Sequence, residues 1–236
     1  MKKIFFALLF APLVAFASGD ELHLDKAPDR SGNPAALQNG AKLFVNYCLN
    51  CHSASYMRYN RLHDLGLSED NIRTNLLFTA NKTGDLMKTA MQSADAKVWF
   101  GVAPPDLTVI ARARGSESGS GADWLYTYLR SFYRDDARPT GWNNTVFANV
   151  GMPHVLWELQ GQQVLGEDHK LTLAKPGTLK PEEYDAQVGD LVGYLQYMSE
   201  PVAEQRKRLG IFVLLGLAVL FAFAYALKRE FWKDIH

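Results

Sequence analysis

Cys48-Leu49-Asn50-Cys51-His52 constrains this chain more than any other stretch. No other cysteine occurs among its 236 residues. Two residues separate the pair and a histidine follows the second directly, which is the spacing by which a chain attaches a c-type haem. The chemistry accounts for the spacing. Each thiol adds across one vinyl group of the porphyrin to make a thioether, and the adjacent imidazole is then held close enough to ligate the iron. Zinc would need two further ligands at matching spacing, and no second cysteine pair supplies them. A redox-active dithiol would want a surrounding βαβ pattern, which is absent. Chance is the third alternative, and the context of the motif decides it.

A basic start, Met1-Lys2-Lys3, leads into an apolar run from Ile4 to Phe16, with Ala15-Phe16-Ala17 as a small-x-small cleavage site. Residues 1–17 therefore read as a secretory signal peptide, with an apolar run too short to span a bilayer. The mature chain would start near Ser18. Export fits the motif, since c-type haem is attached outside the cytoplasmic membrane in bacteria. With no cysteine left for a disulfide, the exported domain must be held by its core and its cofactor.

A second apolar stretch, Leu209 to Leu227, carries no charge in nineteen residues. As a helix it would be roughly 28 Å long, close to the hydrocarbon thickness of a bilayer. It reads as the centre of a transmembrane anchor over residues 206–230. A buried core helix is the alternative, but only Lys228 to His236 follow to cover it. Arg206-Lys207-Arg208 on one side balance Lys228, Arg229 and Lys233 on the other, so the positive-inside rule leaves orientation open. The signal peptide sets it: residues 18–205 in the periplasm and a tail, 231–236, in the cytoplasm of an inner-membrane protein. Phe231-Trp232 would be interfacial anchors.

Lys and Arg number 25 overall, as do Asp and Glu, but residues 18–205 hold 17 basic against 23 acidic side chains, a balance of −6. That sign disfavours nucleic acid. It favours a basic protein partner through steering, with simple solubility as the competing use.

Within the domain, Leu37, Ala41, Phe44, Val45 and Cys48 share one face of a helix expected over 35–52, so the Cys motif sits at its carboxyl end. Pro181-Glu182-Glu183 opens a second long helix, with proline at the first position and carboxylates in the first turn. Its stripe of Tyr184, Val188, Leu191, Val192, Leu195 and Met198 ends near Glu200-Pro201. The two helices are expected to cross, with Gly40 and Gly193 as candidates for the close approach. Asp64 to Ile72, Gly84 to Gln92 and Ala122 to Tyr133 read as shorter helices, and Lys170 to Lys175 as a short strand. Asp135 to Pro153 is Asn/Gly/Pro-rich with no sustained periodicity, the mark of a functional or disordered loop.

Proline disfavours helix in the residue before it, so Ala103-Pro104-Pro105 starts extended, with carbonyls free to accept. The proximal His52 needs an acceptor for its second ring nitrogen, a role given to the carbonyl near Pro104 or Pro105. Arg112 and Arg114 follow, and a guanidinium suits a haem propionate, although a solvated face is the commoner use of arginine. For the sixth iron position, Met57 is too near His52, Met87 and Met91 look like helix core, and Met198 ends the last helix. Met152, on a loop held by Gly151 and Pro153, is the chosen distal ligand, with His154 as runner-up. A Met/His pair fills both axial sites and makes an electron carrier. One motif implies one haem c.

Taken in order, Cys48-x-x-Cys51-His52, Ala103-Pro104-Pro105-Asp106-Leu107, Arg112-Ala113-Arg114, Gly151-Met152-Pro153 and Ser199-Glu200-Pro201 leading into a terminal anchor closely resemble the cytochrome c1 family. These are the haem subunits of proteobacterial cytochrome bc1 complexes, the ubiquinol:cytochrome c oxidoreductases of respiration. The resemblance implies a mainly α fold: a class I cytochrome c-like haem domain with long loop insertions, plus one C-terminal transmembrane helix. It implies that Cys48 and Cys51 hold the haem, that His52 and Met152 are its axial ligands, and that Arg114 contacts a propionate. Some members have tyrosine where this chain has Trp124, and an indole can donate but not accept a hydrogen bond. The acidic insertion some members use for docking is not evident. The implied function is electron transfer from a Rieske iron-sulfur protein to a soluble or membrane-bound c-type cytochrome, with no bond chemistry by the subunit alone. The implied partners are cytochrome b, within a dimeric complex, and membrane lipid. A membrane-anchored cytochrome serving another oxidase or dehydrogenase, a thiol oxidoreductase and a haem gas sensor are the rival functions.

Overall fold

The computed structural model describes residues 22–234, so the signal-peptide reading lies outside the described residues. Helix α1 (Pro34–Leu43) begins where Asn33 caps it, its side-chain oxygen accepting the Ala36 amide at 3.2 Å, with proline at the first position. Helix α7 (Pro181–Ser199) begins on the predicted proline, and the Glu183 carboxylate accepts the Lys180 amide at 3.0 Å. These two helices cross at the centre of the domain. A Cβ on Gly40 would fall on the Asp190 carbonyl of α7 and 2.7 Å from the Tyr194 Cβ, so the backbones approach as only glycine permits. Gly193, the other candidate, instead faces Arg30 and the Leu37 side chain.

Around this crossing pack α4 (Ile110–Ala113) and α5 (Gly121–Arg130), both against α7. Phe44, Tyr184, Leu191, Val192 and Tyr194 are fully buried between them. Two short helices, α2 (Glu69–Asn75) and α3 (Ser93–Phe100), and a one-turn α6 (Trp157–Gln160) lie in the connections. Three antiparallel ribbons complete the domain: β1 (Ala54–Arg58) with β2 (Leu86–Met87), β3 (Phe132–Arg134) with β4 (Trp142–Asn144), and β5 (Gly161–Leu165) with β6 (Leu171–Pro176).

Three local expectations change. Residues 84–92 form no helix: Leu86 and Met87 pair with Arg58 and Ala54, and Met87 is buried by that pairing. The helix expected over 64–72 divides at Gly66, whose φ of 86° ends a 3-10 turn (Tyr59–Leu65), and Ser68 then caps α2. Helix α5 stops at Arg130 because Phe132 to Arg134 pair with Asn144 to Trp142. The β6 strand occupies the stretch read as extended, 170–175.

Helix α8 (Ala203–Phe231) is long and apolar enough to cross a membrane. At about 1.5 Å per residue its 29 residues extend ~43 Å. Its leucines and phenylalanines touch almost nothing else in the chain: Leu209 is 64% exposed and Phe221 69%. Such a surface fits a single-pass anchor.

Residues 22–30 are strapped to α5. Asp123 accepts the Lys26 ammonium at 2.8 Å, the Ala27 amide at 2.9 Å and the Ser120 amide at 3.2 Å. Burial works to raise this carboxyl, but those donors outweigh it and hold it at about 2. Unfolded, the group would titrate near 3.8, so the stabilisation is complete above that value and lost as pH falls from about 4 to about 2. The amount is on the order of 2 kcal/mol. Asp123→Asn is expected to lose that stability at neutral pH and to flatten the acid limb of a denaturant-midpoint against pH curve.

Gly40→Ala is expected to cost ~1–3 kcal/mol through overpacking of the α1/α7 crossing. Gly84→Ala, which meets nothing within 4 Å, serves as the control and should leave the thermal midpoint unchanged.

Candidate functional site

The single α-helix expected over 35–52 ends early. Its last turn widens over Phe44–Cys48 into a π turn, in which the Leu49 amide donates to the Phe44 carbonyl at 3.0 Å. The Cys48 carbonyl then accepts both the Cys51 amide at 3.1 Å and the His52 amide at 2.8 Å. The motif is thus wound into one compact turn, in a conformation that is rare and often found at functional sites. Cys48 is buried, Cys51 half-buried, and no disulfide joins them. Burial, with a smaller push from the Cys51 thiol, raises Cys48 to about 12, and burial raises Cys51 as well. Dithiol oxidoreductases need the opposite shift, toward thiolate. Among the described residues, no group of three or more His, Cys, Asp and Glu side chains is arranged to hold a metal ion.

His52 Nδ1 lies 2.7 Å from the Pro105 carbonyl oxygen. A carbonyl only accepts, so Nδ1 carries the proton and Nε2 keeps the lone pair. Burial lowers the basicity of the ring against smaller opposing effects of that carbonyl and of Asp106. The imidazole is therefore held neutral, the form a metal takes. The Pro105 carbonyl is itself fixed. The Leu107 amide donates to the Ser53 carbonyl at 2.8 Å, and Asp106 accepts the Ser55 amide at 2.7 Å and the Thr108 amide at 2.8 Å. This clasp ties residues 105–108 to the start of β1.

Met152 lies half-buried on the loop after β4. Gly151 packs against the segment just before Pro105: a Cβ there would stand 2.9 Å from the Phe100 carbonyl and 3.5 Å from Val102. Five residues from Phe100 to Pro105 reach at most ~18 Å, so the Met152 loop and the His52 acceptor belong to one region. The Tyr128 hydroxyl donates to Met152 Sδ at 3.3 Å. Tyr128 stacks on Trp124 at 4.8 Å and 15°, and the Arg114 guanidinium sits over the Trp124 ring at 4.5 Å and 5.8 Å from that of Phe147. Arg114, Trp124, Tyr128 and Met152 form a continuous column. Arg130 and Arg206, by contrast, are held by carboxylates.

His154 is built into the aromatic core. Phe132 stacks on it at 4.9 Å and 4°, the Trp142 edge meets it at 5.1 Å, and burial pushes its imidazole down to about 4. Met57, Met87 and Met198 are buried as core. Sequence reasoning missed Asp106 as the anchor of the Pro105 carbonyl and Tyr128 as the donor to Met152. The Asp-x-Thr spacing of Asp106 and Thr108 and the four-residue spacing of Trp124 and Tyr128 were the available signals. A cleft of about 450 Å³ lies apart, lined by Arg112, Asp123, Tyr197, Glu200 and Arg206 at the root of α8, and includes none of the six predicted site residues.

The donor set fits a haem c: two unpaired thiols on one turn, a neutral imidazole with a directed lone pair, a thioether with one lone pair to spare, and a guanidinium over aromatic rings. Asp106→Ala removes the acceptor for two backbone amides and is expected to cost ~1–3 kcal/mol. Asp106→Asn, which retains one acceptor oxygen, should lose less in the same denaturant titration.

The cytochrome C1 family model matches residues 27–235. A protein of Nitrosomonas europaea named ammonia monooxygenase gamma subunit is 54% identical over 237 residues, covering all of this chain and 99% of its own. Cytochrome c1 of Allochromatium vinosum is 49% identical over 250 residues, covering both chains in full. Cytochrome c1 of Rhodospirillum rubrum is 30% identical over 227 residues, covering 84% of this chain and 81% of its own. With the fold, the turn that carries Cys48, Cys51 and His52, and a match that runs from before α1 through α8, the chain belongs to the cytochrome c1 family, the haem subunits of cytochrome bc1 complexes.

Proposed function

We propose that Cys48 and Cys51 bind a haem c through two thioethers, that His52 Nε2 and Met152 Sδ are its axial ligands, and that Arg114 donates to a propionate. The observation that carries this reading is the His52 Nδ1 hydrogen bond to Pro105, because it leaves Nε2 as the only ring nitrogen able to ligate. When bound, the haem supplies one-electron exchange between ferric and ferrous iron, from a Rieske iron-sulfur protein to a soluble or membrane-bound c-type cytochrome. The chain's own residues would attach the group through Cys48 and Cys51, hold the imidazole neutral and offer His52 and Met152 to the iron.

Residues 1–17 would be removed as a signal peptide, 18–205 would stand in the periplasm, 206–230 would anchor the domain, and 231–236 would lie in the cytoplasm. The exposed surface of α8 would pack on cytochrome b and lipid within a dimeric complex, and Arg206 to Arg208 would meet anionic head groups. The Nitrosomonas europaea relative's name sets a second reading, a subunit of a monooxygenase. Purification from native membranes separates the two: co-purification with a b-type cytochrome and a Rieske protein supports the first, and with an ammonia-oxidising enzyme the second.

Reduced-minus-oxidised spectra of membranes carrying wild type, Met152→Leu and Met152→His test the ligand assignment. Both variants should retain a covalent c-type haem and shift the reduction equilibrium toward ferric by more than tenfold, ~59 mV or more. An unchanged potential removes Met152 from the iron; reaction of both cysteines with an alkylating reagent removes the thioethers.

A further inference from the structure

The column at Met152 does more than fill space. Tyr128 sits on α5 with its ring fixed on both sides, stacked on Trp124 one turn earlier and met by Phe132 of β3 at 5.1 Å and 66°. Its backbone carbonyl accepts the Asn144 side-chain amide at 2.8 Å, which ties this turn of α5 to β4 and so to the start of the Met152 loop. The side chain is buried, and its hydroxyl makes its hydrogen bond to Met152 Sδ at 3.3 Å. A thioether is a weak acceptor, and a phenol in so packed a place ordinarily finds a stronger one. Here ring and backbone are both constrained to aim the hydroxyl at sulfur.

We infer that Tyr128 is a positioning residue for the distal ligand, its hydroxyl holding one lone pair of Met152 Sδ so that the other faces the iron and the sulfur donates less charge to it. The inference rests on the reading of Met152 as the axial ligand. A thioether hydrogen-bonded in this way stabilises ferric iron less than a free one, so the bond raises the reduction potential. It also selects one orientation of a flexible, three-torsion side chain at the tip of a loop. The interaction lies in a partly buried setting, where a hydrogen bond is stronger than in water.

The test uses the full-length, haem-loaded protein in membranes, with Tyr128→Phe, which keeps the ring and both aromatic contacts and removes only the hydroxyl. The expected result is a shift of the one-electron reduction equilibrium toward ferric of up to about tenfold, or ~59 mV. The sulfur-to-iron charge-transfer band of the ferric protein should move with it. Site-specific 3-fluorotyrosine at position 128, a better donor of nearly the same size, should move the potential the opposite way. A purely packing role for the hydroxyl would change thermal stability and leave potential and band where they are, and that result overturns the inference. Should Tyr128→Phe fail to accumulate, the fluorotyrosine protein decides, and an unmoved potential there overturns it equally. Met152→Leu separates the two levels. Loss of the band in that variant upholds the ligand while Tyr128 is judged on its own; persistence of the band removes the ligand and the inference together.

Discussion

The backbone contact of α1 with α7 at Gly40 sets the geometry of the domain. Because a Cβ there would occupy the position of the Asp190 carbonyl, the two helices settle closer than side chains would allow. Two consequences follow. Phe44, Leu191 and Tyr194 close over the crossing with no exposed surface, and the π turn that begins at Phe44 emerges at a fixed place with Cys48 behind it. Helix α7 also carries α4 and α5 on its other side, so Arg114 at the end of α4 and Tyr128 on α5 take their positions from the same packed helix. The turn that carries His52 and the residues that meet Met152 are thus referred to one element, although about one hundred residues of chain separate them.

Much of this was legible. Proline at the first position of α7, its apolar stripe, the Cys-x-x-Cys-His turn and the length of α8 are local signals, and each is written in a few neighbouring residues; the first helix instead begins one residue earlier than its pattern, on Pro34 behind the Asn33 cap. What was illegible depends on partners distant in sequence. Leu86-Met87 has the composition of a helix core, and only pairing with Ala54 and Arg58 makes it a strand. Tyr133 continues the aromatic run of α5, yet its pairing with Asn143 withdraws it from the helix. The π turn has no spacing signature at all. It shows only in the backbone, where the Leu49 amide reaches the Phe44 carbonyl five residues back. The acceptor for His52 was legible to within one residue, near Pro104 or Pro105, and the fold brings the Pro105 carbonyl to Nδ1.

The electrostatics of the site follow a single pattern: groups close to it are kept uncharged. Burial holds His52 neutral, raises both thiols and pushes the His154 imidazole toward its neutral form. The charges nearby are set at the border, where Asp106 is satisfied by backbone amides and Arg114 by aromatic faces. A low-dielectric interior penalises additional positive charge inside it, and Arg114 at its rim adds to that penalty while the Asp106 carboxylate works against it.

The join between the domain and its anchor is short. Helix α7 ends at Ser199 and α8 begins at Ala203, and the three residues between them are braced by the Glu200–Arg206 ion pair and by the Ser199 hydroxyl on the Thr108 carbonyl at 3.2 Å. Three residues extend ~10 Å at most. A link of that reach keeps the carboxyl end of α7 beside the root of α8. On the proposed reading, a donor and an acceptor would each come to the anchored domain, and the pace of exchange would be set by how quickly they arrive and leave.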